Sequence, residues 1–129
     1  MLERRSDYDI TDRIKVTDPA VVKDETRRIY QDLYQSEPAE SLVRSFDDAA
    51  RMFRGEQPGF LPCDTSYHNI QHTLDVTLAM TRLMDGYERL RSGREPLGEE
   101  LFRLGVITAL FHDIGYIREE NDPAKNGAE

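Results

Sequence analysis

The chain carries three histidines, His68, His72 and His112, and all of them fall in two short segments: Tyr67-His68-Asn69-Ile70-Gln71-His72 and Phe111-His112-Asp113-Ile114-Gly115-Tyr116. On a helix, His68 and His72 stand four residues apart, so both rings project from one face within about one turn of each other. His112 and Asp113 close the most apolar stretch of the sequence. An ionised carboxylate in such a place needs a partner, because burying one alone is strongly unfavourable. A divalent cation would serve, and the negative end of a helix dipole at that C-terminus adds a smaller favourable term. Imidazole together with carboxylate suits zinc, iron, manganese or nickel, whereas an all-oxygen site points to calcium or magnesium. Taken singly, each piece has a plainer reading: His112 as a helix cap or hydrogen-bonded core residue, Asp113 as a cap or salt-bridge partner, the His68/His72 pair as no metal site at all. Their concentration in two segments is what favours a metal.

Tyr67-His68-Asn69-Ile70-Gln71-His72-Thr73-Leu74-Asp75-Val76, paired with Ala109-Leu110-Phe111-His112-Asp113-Ile114-Gly115, resembles the HD-domain superfamily of metal-dependent phosphohydrolases, in particular its branch similar to cyclic-nucleotide phosphodiesterases. The resemblance covers residues 66–117. It implies an all-α, HD-domain-like helical bundle in which His72 is the first metal ligand and His112 and Asp113 the second and third, with Asp113 able to bridge a second ion. It also implies that His68 protonates the leaving oxygen. Asn69 and Asp75 match flanking motif positions, better read as supports than as ligands, and Tyr67 and Tyr116 either line the pocket or pack in the core. The cofactor implied is one or two divalent metal ions drawn from Mn, Fe, Zn, Ni or Mg, and the activity is hydrolysis of a phosphomonoester or phosphodiester of a nucleotide or other small phosphorylated metabolite. The family's fourth ligand is an aspartate on a later helix. This sequence ends at Glu129, and Asp122, close to the His-Asp pair, is not assigned that role but stays open as a substitute for it. The expectation is an N-terminal portion of a longer protein whose C-terminal helices complete the bundle, or a homo-oligomer that borrows a ligand. The competing reading is a catalytically silent helical module that binds a nucleotide or a protein partner. A third is an ordinary helical interaction domain with incidental histidines.

The elements that must position these residues are legible from periodicity. Residues 1–16 form a charged N-terminal arm with little apolar pattern, expected to be extended or partly ordered and given no chemistry. An HD-like domain is assigned to 17–129. Thr17-Asp18-Pro19 marks a helix start, with Asp18 as cap and Pro19 in the first helical position. Val21, Val22, Ile29, Leu33 and Tyr34 form its apolar stripe. Ser36-Glu37-Pro38 breaks that helix and leads into another, carrying Leu42, Val43, Phe46, Ala49, Ala50 and Phe53 and stopping at Gly55. A Gly/Pro-rich loop follows, and then a long helix from about 67 to 91 with Ile70, Leu74, Leu78, Met84 and Tyr87 at core spacing, weakened by Gly86. The last helix runs from about Gly98 to Asp113. Its second half, Leu104-Gly105-Val106-Ile107-Thr108-Ala109-Leu110-Phe111, is apolar all round, which predicts a helix in the middle of the domain. The tail from 119 to 129 reads as loop.

Composition bounds the function classes. At 129 residues, with 38% hydrophobic and 33% charged residues, the chain fits one modest core. A formal net charge of −8 argues against a partner such as duplex nucleic acid, whose binding depends on clustered Lys and Arg. It leaves room for a small phosphorylated substrate, because a bound metal supplies positive charge locally. Cys63 is the single cysteine, so neither an internal disulfide nor a thiolate cluster can form, which fits a cytoplasmic location. No segment approaches the ~20 consecutive apolar residues of a membrane span, so no membrane partner is expected.

Overall fold

A computed structural model describes residues 7–54 and 70–112. The described residues are all-α: α1 (Pro19–Tyr34), α2 (Glu40–Phe53), α3 (Ile70–Leu90) and α4 (Gly98–Phe111), with no named strand among them. Each helix packs on two others, α1 on α2 and α3, α4 on α2 and α3, so the four close around one core. None of the described helices is long and apolar enough to cross a membrane.

The helix starts follow from local chemistry. Asp18 Oδ1 accepts the amide of Ala20 at 2.9 Å, and Pro19, which lacks an N–H, stands where none is needed. Gln35 ends α1 in the left-handed conformation and returns its N–H to Gln31 O. Val22, Ile29 and Tyr30 of α1 meet Leu42, Phe46 and Ala49 of α2, Leu74, Leu78 and Met84 of α3, and Phe102, Val106 and Leu110 of α4 in a single core. Tyr30, Tyr34 and Phe102 stack edge to face with centroids 5.0 to 5.8 Å apart and knit α1 to α4.

The packed face of α3 is half hydroxyl. Thr73, Thr77 and Thr81 are fully buried. Thr77 Oγ1 donates to Thr73 O at 2.7 Å and Thr81 Oγ1 to Thr77 O at 2.9 Å, so Thr77 and Thr81 satisfy their hydroxyls on their own helix and otherwise pack as valine would, whereas the buried Thr73 Oγ1 has no hydrogen-bond partner among the described residues. Thr81 also lies 3.5 Å from Thr26 Oγ1 on α1.

Glu88 joins α3 to α4. Its carboxylate accepts the amides of Leu97 and Gly98 at 2.9 and 3.2 Å and the Tyr34 hydroxyl at 2.6 Å, and so caps the start of α4 from the end of the preceding helix. Because the end of α3 caps the beginning of α4, the two run antiparallel and the start of α3 lies beside the end of α4. Gly105 lets them approach closely: a Cβ there would sit 2.6 Å from Met84 Sδ.

Two expectations change. Residues 7–16 are more than an extended arm: they double back through a Tyr8–Lys15 bridge, and Val16 is buried in the core. The turn is held by Asp9, whose carboxylate accepts from Thr11 Oγ1 and from the amides of Arg13 and Ile14. The second change concerns α4. It buries one face, with Phe102, Val106, Ala109 and Leu110, while Leu101 and Leu104 are exposed, so among the described residues it is an outer helix of the group.

Candidate metal centre

Antiparallel α3 and α4 bring His72 beside His112. His72 lies in the first described turns of α3, and His112 is the C-cap of α4, directly after Phe111. Their ring centroids are 5.9 Å apart with the planes at 57°. Two imidazoles sharing one tetrahedral metal at ~2.1 Å per nitrogen would place their centroids roughly 5 Å apart, so a small side-chain adjustment would let this pair share a metal. His112 Nδ1 lies 2.6 Å from Ala109 O. A carbonyl only accepts, so Nδ1 carries the proton and donates, which leaves Nε2 as the basic nitrogen that a cation takes. At the end of α4 the helix dipole also favours positive charge. On donor chemistry and spacing, the two histidines fit a divalent transition metal.

His68 and Asp113, the other two site residues read from the sequence, lie outside the described residues, as do Tyr67, Asn69, Tyr116 and Asp122. Among the described residues, no group of three or more His, Cys, Asp or Glu side chains converges on one point. Two imidazoles are therefore what the described part contributes.

Beside His72 a cleft of about 390 Å³ opens between α3 and the 7–16 turn. Asp9, Asp75, Arg82, Ile10 and Val76 line it with His72. Arg82 donates to Asp9 Oδ2 at 2.5 Å, and the Asp9 side chain is only 4% exposed. Burial by itself would raise the Asp9 carboxyl, but hydrogen bonds from Ile14, Thr11, Arg82 and Arg13 outweigh it and hold the group well below the ordinary carboxylate range. Asp9 and Arg82 together form a clasp that fixes the turn against α3. Sequence reading missed this clasp. The signal available was Asp9-Ile10-Thr11, an acid with a hydroxyl two residues on, followed by Ile14 and Val16 in strand-like alternation.

A scan against protein-family models finds no matching family, and no curated protein or solved structure matches the chain.

Proposed function

We propose that the chain is the metal-site core of an HD-type metal-dependent phosphohydrolase. The observation that carries this reading is the pairing of His72 and His112, from two helices, with ring centroids 5.9 Å apart, a small side-chain adjustment from the separation of two imidazoles on one metal. In this reading His72 and His112 hold a divalent ion through their ring nitrogens, and Asp113, next in the chain, supplies the third ligand. A bound ion would neutralise phosphoryl oxygens and lower the pKa of a coordinated water. His112 is kept in one tautomer by Ala109 O, which leaves its Nε2 as the nitrogen that can bind the ion. His68, four residues before His72, protonates the oxygen that leaves phosphorus. The substrate is a phosphomonoester or phosphodiester of a nucleotide or another small phosphorylated metabolite, and a fourth ligand comes from further helices or a partner chain.

The test is elemental analysis of the purified, chelator-free chain beside His72→Ala and Asp113→Ala. Near-stoichiometric transition metal in the parent and loss of affinity in both variants is expected. Loss of a ligand should cost more than the ~10–100-fold typical of changing a residue behind one. Metal-loaded protein then hydrolyses a generic phosphoester such as p-nitrophenyl phosphate or its bis-ester. No metal uptake from manganese, iron or zinc would overturn the metal reading for this chain. Metal uptake without turnover would favour the silent module.

A further inference from the structure

The cleft beside His72 has two walls of unlike origin. One is a stripe of α3 on which His72, Val76, Ala79 and Arg82 follow one another three or four residues apart. The other is the 7–16 turn, which contributes Asp9 and Ile10. From His72 to Arg82 the helix advances by about 15 Å, so the cleft leads away from the paired histidines. Its volume of about 390 Å³ falls near the lower end of the ~300–1,000 Å³ typical of small-molecule sites. Ile10 is 97% exposed, although it stands between Asp9 and Thr11, the two residues whose side chains brace the turn. The other aliphatic side chains of the turn, Ile14 and Val16, pack at the core. The turn thus holds an apolar side chain at the mouth of the cleft without packing it on the protein.

We propose that this cleft seats the leaving group of the phosphoester, and that it takes one with an apolar body and no second anionic group. The inference rests on the metal reading above, because His72 joins the cleft to the proposed ion. Charge sets the class of leaving group. Arg82 is the one cation among the described residues that line the cleft, and its guanidinium already bonds Asp9 Oδ2. Asp9 stays ionised, since its donors outweigh its burial, so the pair carries no net charge. Asp75 adds a carboxylate and no cation. A leaving group with a phosphate or carboxylate of its own would bring a charge that nothing described in the cleft balances, in a chain of net charge −8. An uncharged body meets Ile10, Val76 and Ala79 instead and removes apolar surface from water. A hydroxyl or carbonyl on that body is accommodated, because a guanidinium has more N–H donors than the bond to Asp9 uses.

Non-hydrolysable phosphonates test this with binding as the readout. In calorimetric titrations of the full, manganese-loaded chain, inorganic phosphate reports the metal site alone. Phenylphosphonate adds an uncharged body, and 4-carboxyphenylphosphonate adds the same body with a second anion. Phenylphosphonate is expected to bind more tightly than phosphate, and 4-carboxyphenylphosphonate more weakly than phenylphosphonate by on the order of tenfold. Ala79 is exposed, so Ala79→Leu narrows the cleft without entering the core. It should abolish the advantage of phenylphosphonate and leave phosphate binding as it was. Asp9→Asn, checked for folding by circular dichroism, uncovers the charge of Arg82 and should narrow the gap between the two phosphonates. In a methyl spectrum, phenylphosphonate should shift the Ile10 resonance and phosphate should not. Phosphate binding with no advantage for phenylphosphonate, or an advantage that survives Ala79→Leu, would remove the leaving group from the cleft while sparing the metal site. Equal affinity for the two phosphonates would refute the selection by charge. No phosphate binding to the manganese-loaded chain would defeat the metal reading, and the role of the cleft with it.

Discussion

Asp9 and His112 illustrate how differently two polar residues can depend on their surroundings. His112 is positioned by one local contact, Nδ1 to the carbonyl three residues back, so its place follows from where α4 ends. Asp9 is positioned by four donors, one of them Arg82 on α3. The first was legible in the sequence, because a histidine ending an apolar run is conspicuous. The second was not, because the partner of Asp9 is remote in the chain and the turn that supplies its other donors is made by Asp9 itself. Replacing Asp9 by Asn removes the charge that Arg82 and two amides bond, and should cost about 1–3 kcal/mol by the scale for charged hydrogen bonds. The pH dependence has a definite sign. A carboxyl held below its unfolded value stabilises the fold above that value, ~3.9, and the contribution is lost as pH falls toward the folded one. Urea midpoints taken from neutral pH down to about pH 3 should therefore show the parent and Asp9→Asn converging below about pH 4. A gap that stays constant would mean that the clasp acts through shape alone.

At the scale of elements, the four helices were readable from apolar periodicity and their ends from Asp18-Pro19 and Pro38, because caps and breakers act locally. What periodicity misjudged was α4. Eight apolar-looking positions in succession, 104–111, imply burial on every side, yet among the described residues α4 buries one face and Leu104 remains exposed. The threonine face of α3 escaped notice for the converse reason: Thr77 and Thr81 look polar but satisfy their hydroxyls on the preceding turn. The α3–α4 junction also depends on a residue that no local pattern marks. Burial opposes the charge on Glu88, but bonds from Tyr34, Leu97 and Gly98 prevail and keep its carboxyl below the ordinary value. They also leave the Tyr34 hydroxyl raised, through burial first and the neighbouring carboxylate second. Glu88→Ala strips the start of α4 of its cap and leaves Tyr34 without that acceptor. A loss of about 1–3 kcal/mol is expected, read from thermal or urea unfolding. Because α4 delivers His112, the same variant should lower metal affinity without touching a ligand. Unchanged stability would show that water replaces the carboxylate at no cost.

For the whole molecule, the net charge of −8 sets the terms on which any phosphate can be bound. A chain of that charge attracts divalent cations and repels phosphate. If the proposed metal site is what captures substrate, inorganic phosphate should bind measurably only to metal-loaded protein, and the salt dependence should run opposite to that of a basic phosphate binder. Raising ionic strength from 0.01 M to about 0.15 M shortens the Debye length from ~30 Å to ~8 Å. That screens the repulsion between phosphate and the distant carboxylates more than it weakens contact with a metal at close range. Phosphate association should therefore strengthen, or at least hold, as sodium chloride is added over that range. A basic site loses affinity steeply over the same range. Equilibrium dialysis with labelled phosphate, on apo and metal-loaded chain at the two salt concentrations, checks both statements. Binding by the apo protein, or a steep fall with salt, would place the anion on arginine side chains and detach phosphate recognition from the paired histidines.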